Sequence, residues 1–213
     1  MFLIYLLFIY LNFFFVFEHF ILNKFLEKFE QNFGFDFFLF NTFTYIDLKS
    51  YRTLYCAFVR SQLEFAEPVW SPHMERHIEK VERIQRRATK RAPGLANMGY
   101  SDRLEKLDLT SLEDRRTRGD LITQYKLMNG LEKVDWSHPP ARYGTTTRGH
   151  HFRYVKELST NAVRSNFFNN RVANVWNNLP VEVVSAKTVN SFKARIDGWY
   201  QGNNKNWHKD KRQ

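Results

Sequence analysis

His73 and His77 stand one helical turn apart with Glu75 between them, a spacing able to hold a zinc ion. The order is H-x-E-x-H, not the H-E-x-x-H in which a metalloprotease sets its general base beside two ligands, and no third ligand is evident. The single cysteine, Cys56, rules out an internal disulfide and a multi-cysteine zinc site. Set among Leu54, Ala57 and Phe58, it reads as a small buried apolar residue. The sequence has no G-x-S-x-G, no glycine-rich phosphate cradle and no Cys/His pair suggesting an activated nucleophile. These residues point away from an enzyme in isolation and call for no cofactor or metal. The chemistry they do offer is charge.

The 213-residue chain carries a formal charge of +10, unevenly placed. Residues 1–50 hold Lys24, Lys28 and Lys49 against Glu18, Glu27, Glu30, Asp36 and Asp47, a net of −2, so the remainder carries +12. A surplus on that scale suits polyanion binding, nucleic acid first and acidic membrane second. The densest part is a helix expected over Pro72–Arg91. At about 100° per residue, Met74, Ile78, Val81, Gln85 and Ala88 cluster on one side of it. Arg76, Lys80, Arg83, Arg87 and Lys90 fall opposite, within an arc of roughly 80°. Glu75, Glu79 and Glu82 occupy one flank, where they could pair with bases at i+4 such as Arg83 and Arg86. Five cations in line suit a phosphate backbone; the same line is also what the solvated face of an ordinary amphipathic helix carries. Arg115, Arg116 and Arg118 sit in the first turns of a later helix, where cations oppose the helix dipole. That placement hints at phosphate contact, or at pairing with Asp114. A basic loop with Arg142, Arg148, His150, His151 and Arg153 could track a backbone or serve as a plain linker.

The elements that must position these residues read as helices. Leu54, Phe58, Gln62 and Phe65 fall near one face, with Tyr55 beside them, and Pro68 stops that helix. Ser71-Pro72 reads as an N-cap followed by proline at the first helical position. Pro93-Gly94 ends the basic helix. Ser101 can cap a short helix with Leu104 and Leu107. Thr110 with Glu113 forms a capping box for the next helix, which runs to Asn129 with Gly130 just past its end. Leu121, Tyr125 and Met128 give its buried face. Residues 137–151 read as a Pro/Gly/Thr loop and a hinge. Phe168, Val172, Val175, Trp176 and Leu179 then make a strong helical stripe, terminated by Pro180. Trp176 could stack on a base, but its place in that stripe favours core packing. Thr188 caps a last helix with Val189, Phe192, Ile196 and Trp199 inward, and the polar tail from residue 201 reads as disordered.

The first fifty residues are a different text. They hold 15 of the 21 phenylalanines, and residues 1–17 are apolar except for Asn12. A spanning helix needs about 20 apolar residues; extension to Leu22 supplies the length but encloses Glu18 and His19. A basic n-region and a small-residue cleavage site are missing, so a cleaved signal peptide fits poorly. A membrane anchor over residues 1–22, an aromatic helix packed on the domain, and translated non-coding text remain as readings. The last is favoured because turn signals and a one-faced stripe are both lacking.

From Tyr51 onward a resemblance emerges. Leu54–Trp70, Ile78–Gly94, Tyr100–Gly130, the Thr146-Thr147-Arg148-Gly149-His150 loop and Trp176-Asn177-Asn178-Leu179-Pro180 occur in an order that resembles the C-terminal, thumb and post-thumb, region of jockey- and CR1-like non-LTR retrotransposon reverse transcriptases. In that family, nucleotide addition uses two metal ions clamped by carboxylates, in an aromatic-x-Asp-Asp turn plus an earlier Asp. This sequence contains no Asp-Asp pair, so no catalytic residue carries over. The resemblance therefore implies a non-catalytic fragment of an RNA-directed DNA polymerase, from a truncated or decayed element, that contacts RNA or DNA through a basic helical surface. The missing palm and fingers would be its other partners, and its location would be nuclear or cytoplasmic.

The expected architecture is mainly α, a small domain of five or six helices with an added apolar N-terminal helix. Its expected divisions are an extension over 1–50, a thumb-like region over 51–136, the loop over 137–151, a helical region over 152–200 and a tail over 201–213. The competing expectation is a membrane-associated or protein-interaction fragment anchored by residues 1–22.

Overall fold

The computed structural model describes residues 46–135, 140–142 and 150–202. The expected N-terminal helix with its membrane anchor, most of the 137–151 loop and nearly all of the tail lie outside the described residues. The fold is mainly α, as expected, with no strand among the described residues and one isolated antiparallel bridge between Arg142 and Tyr154. Among the described residues, no helix is long and apolar enough to cross a membrane.

The chain divides into two compact units, Met1–Arg116 and Thr117–Gln213. The sequence reading put its break at the 137–151 loop, whereas the packing puts it inside a helix.

In the first unit, α1 (Leu48–Leu54) runs on through a π-helical stretch (Tyr55–Arg60) into α2 (Ser61–Leu63). Asp47 caps it, its carboxylate accepting from the Ser50 N–H at 3.1 Å. The buried face is Tyr51, Tyr55, Val59 and Leu63. The expected face is the outer one: Phe58 is 43% and Phe65 62% exposed, Gln62 is exposed and Leu54 only half-buried. Steps of four drift steadily around an α-helix, and the wider π turn brings them back into line. The rod ends at Leu63, before Pro68, because Ala66 takes a left-handed backbone (φ 51°). Pro68 lies instead in the first turn of α3 (Glu67–Trp70), where its missing N–H costs nothing.

α4 (Glu75–Arg91) begins later than expected. Met74 is its N-cap, without a side-chain hydrogen bond, and Pro72 is buried ahead of the helix. α5 (Tyr100–Lys106) includes Ser101 rather than being capped by it. It ends in a Schellman turn: Leu109 N–H donates to Leu104 O at 2.8 Å and Asp108 N–H to Glu105 O at 3.0 Å, with Asp108 left-handed (φ 47°). Arg52 from α1 holds that turn, reaching the Asp108 carbonyl at 3.0 Å and its carboxylate at 2.8 Å. The apolar centre of this unit gathers Tyr51, Tyr55, Val59 and Leu63 with Val81, Ile84, Ala88 and Leu107.

α6 (Leu112–Met128) spans the boundary between the units. Its cap is Ser111, one residue later than expected: Asp114 N–H donates to Ser111 Oγ at 3.1 Å and the Ser111 hydroxyl donates back to the Asp114 carboxylate at 2.6 Å. Asp114 is therefore the capping partner of Ser111, the part expected of Glu113 with Thr110. Gly130 (φ 67°) closes the far end, where Leu131 N–H donates to Lys126 O at 2.9 Å.

The second unit gathers Leu121 and Tyr125 of α6 with α8 (Phe168–Asn177) and α10 (Val189–Gly202). The short helices α7 (Ala162–Ser165) and α9 (Val181–Val184) connect them. All five residues of the expected stripe, Phe168 to Leu179, are buried. Trp176 has no exposed surface; its indole N–H donates to Phe152 O at 3.0 Å, and its ring lies 6.1 Å from that of Phe192. Tyr125 stacks on Phe192 at 4.4 Å. Thr188 caps α10 as expected, accepting from Ser191 N–H at 3.1 Å.

Candidate nucleic-acid interface

α4 is held in place by one buried polar network. Gln85, with no exposed surface, accepts from the Tyr55 hydroxyl at 2.7 Å and donates to the Tyr100 hydroxyl at 2.9 Å and Thr110 O at 3.0 Å. Glu82 accepts from the Tyr100 hydroxyl and from Leu112 N–H at 3.1 Å. Its carboxylate thereby meets the free amide end of α6, where the helix dipole favours an anion. Burial, aided by the Glu82 carboxylate, pushes the Tyr100 phenol well above its ordinary range, and burial does the same to Tyr55. Both phenols stay protonated and serve as donors. The Tyr51 hydroxyl adds a bond to Ala88 O at 2.6 Å.

This arrangement corrects the expected role of Glu82. It is buried and turned inward, where the sequence had it on the surface pairing with Arg86. Met74, expected inward, is 41% exposed, and Ile84, Val81 and Ala88 make the packed stripe.

The outer face of α4 carries the five cations expected there. Arg76, Lys80, Arg83, Arg87 and Lys90 are all exposed. None has an ion pair or side-chain hydrogen bond among the described residues, and neither Glu75 nor Glu79 makes the expected i+4 pair there. Arg86 and Arg91 are exposed as well. Arg86 lies over the Tyr100 ring at 5.2 Å, and Arg103 lies 5.6 Å from the same ring. The sequence suggests Arg86 only as a partner for Glu82, not as one of the phosphate-facing cations, although its place beside the file is visible from the helical period. Its aromatic partner, fourteen residues on, is not.

The arginines of α6 behave differently. Arg115 pairs with Glu64 through both Nε and Nη2, the latter at 2.9 Å, and the bond to Glu64 makes the Arg115 guanidinium hold its proton more tightly than usual. Arg116 is buried, with Nη2 lacking a hydrogen-bond partner among the described residues. Arg118, in the second unit, makes a two-pronged pair with Asp197 at 2.6 and 2.8 Å. Phosphate contact by Arg115 or Arg118 would have to break a carboxylate pair, so their dipole-opposing position has a structural reason. A carboxylate meets each of these two cations. Arg148 lies outside the described residues.

His77 is buried and His73 half-buried, and the described residues contain no group of three or more acidic, histidine or cysteine side chains able to hold a metal. Comparison with known protein families, curated proteins and solved structures finds no match.

Proposed function

We propose that this chain is a non-catalytic, nucleic-acid-contacting region of the kind found after the polymerase core of non-LTR reverse transcriptases, and that α4 supplies the contact. The exposed, unpaired file Arg76–Lys80–Arg83–Arg87–Lys90 carries this reading. Cations held on a packed helix with no carboxylate partner are placed to neutralise an external polyanion. The family attribution rests on the order of sequence segments from Tyr51 to Trp199, and the non-catalytic role on the lack of an Asp-Asp pair.

Binding of this kind is electrostatic, weakly selective for sequence and steeply dependent on salt. The test is a gel shift of the whole chain against Arg83→Glu/Arg87→Glu with RNA and DNA at low salt. The unaltered chain should retain both, and the double variant should lose at least about tenfold in affinity. No retention by the unaltered chain would sink the proposal.

A protein-interaction role is favoured by one separate observation, the outward Phe58 and Phe65 on the α1–α2 rod. Membrane fractionation with and without residues 1–22 tests the membrane form of that alternative.

A further inference from the structure

Arg86 differs from the five cations of the file. Arg76, Lys80, Arg83, Arg87 and Lys90 are exposed and have no side-chain partner among the described residues. Each is a long, freely turning side chain that must be ordered when a phosphate arrives, at a cost of about two- to tenfold in affinity. Arg86 is exposed too, but it is already held: its guanidinium carbon lies 5.2 Å from the centre of the Tyr100 ring.

The ring beneath it is fixed from three sides. Its hydroxyl donates to Glu82 and accepts from Gln85 Nε2 at 2.9 Å. Arg103, 7% exposed, stands 5.6 Å from the same ring. That guanidinium is itself pinned by Met98 O at 2.5 Å, Thr89 Oγ1 at 3.3 Å and Arg86 O at 3.4 Å, all of them neutral acceptors. Among the described residues neither Arg86 nor Arg103 has an ion pair. Two cations therefore meet one phenol with no carboxylate paired to either. The buried charge of Arg103 adds to the positive field at Arg86, the outer member of the pair.

We infer that Arg86 is the dominant phosphate contact of α4 and that Tyr100 is its positioning residue. The inference rests on the reading of α4 as the phosphate-contacting surface and adds which cation of that surface carries most of the affinity. A side chain ordered before the ligand arrives gives up little freedom on binding, so its charge–charge attraction is offset least. Tyr100 touches no ligand in this scheme; it acts through Arg86.

The experiment is fluorescence anisotropy of the full chain with a dye-labelled 20-nucleotide RNA strand over a salt series. Arg86→Ala should weaken binding at least about threefold more than Arg83→Ala, one helical turn away. Each variant removes one charge, so both log–log salt slopes should flatten equally, by about 0.7. Tyr100→Phe keeps the ring while losing both hydroxyl bonds, and should bind within about twofold of the unaltered chain. Tyr100→Leu loses the ring as well and should bind at least about threefold more weakly. In an Arg86→Ala background Tyr100→Leu should cost nothing further. Equal losses for Arg86→Ala and Arg83→Ala overturn the inference and leave the proposed function standing. So does a Tyr100→Leu loss that is as large without Arg86 as with it, or one that Tyr100→Phe shares. If thermal melts show the Tyr100 variants unfolded, the comparison of Arg86→Ala with Arg83→Ala decides alone. Failure of the unaltered chain to bind removes the proposed function itself, and the inference with it.

Discussion

At the residue scale, His150 shows what burial does to a titratable group. It is 5% exposed, its Nε2 lies 3.0 Å from Trp176 O, and its Nδ1 has no partner among the described residues. A carbonyl can only accept, so Nε2 carries the proton in the neutral ring. Burial holds the imidazole below its ordinary range, outweighing the bond to Trp176 O. The unfolded chain therefore binds more protons than the folded one just below the ordinary histidine value of about 6.5. Stability should fall as pH drops through that value, and the loss should stop growing once pH lies below the folded value. Urea titrations of the chain and of His150→Gln between pH 7.5 and 5 should show the variant with the shallower pH dependence. Glu82 marks the limit of the sequence at this scale. A glutamate beside Arg86 reads as a surface ion pair until its partners, Tyr100 and Leu112, are placed 18 and 30 residues away.

At the element scale, the α8 stripe and the α4 cations were legible because each follows an uninterrupted 3.6-residue period. The α1–α2 rod was not. It offers two stripes at helical spacing, Tyr51–Tyr55–Val59–Leu63 in steps of four and Leu54–Phe58–Gln62–Phe65 in steps of four and three. The choice between them is made by two tyrosine hydroxyls that find Ala88 O and Gln85 inside the fold. The π turn that aligns the winning stripe leaves no local signature in the text. The cap of α6 was legible to within one residue, whereas those expected at Ser71 and Ser101 lie three and two residues from the caps of α4 and α5. Thr110 and Ser111 are both competent, and the Asp114 carboxylate settles the matter for Ser111. Ser111→Ala should therefore destabilise the chain by about 1 kcal/mol, whereas Thr110→Ala should do little. Chemical denaturation of the two variants side by side checks this.

On the scale of the molecule, two apolar centres share one chain, and the boundary between them falls within α6. Composition cannot reveal such a division, because a continuous helix carries no linker signature. Exposure decides which aromatic residues matter to stability. Trp176→Ala should cost about 3–5 kcal/mol, since it empties a fully buried site. Phe58→Ser and Phe65→Ser should each stay within about 0.5 kcal/mol, since both already face outward. Thermal melts of the three variants distinguish these outcomes. The same contrast separates packing from recognition: loss of a partner without loss of stability in the serine variants would identify the rod as a contact surface.

α4 has two faces with different duties, and thermodynamic linkage joins them. Its inner side, Val81, Ile84 and Ala88, is packed into the first apolar centre, while its outer side is the proposed landing place for phosphate. A polyanion that adheres only to the native helix draws the folding equilibrium with it by mass action, by about 2.7 kcal/mol at a hundredfold excess over Kd. Amide hydrogen exchange with and without a saturating oligonucleotide should then slow along Tyr51–Leu63 and Tyr100–Leu107, elements on the inner side of α4 that no ligand touches.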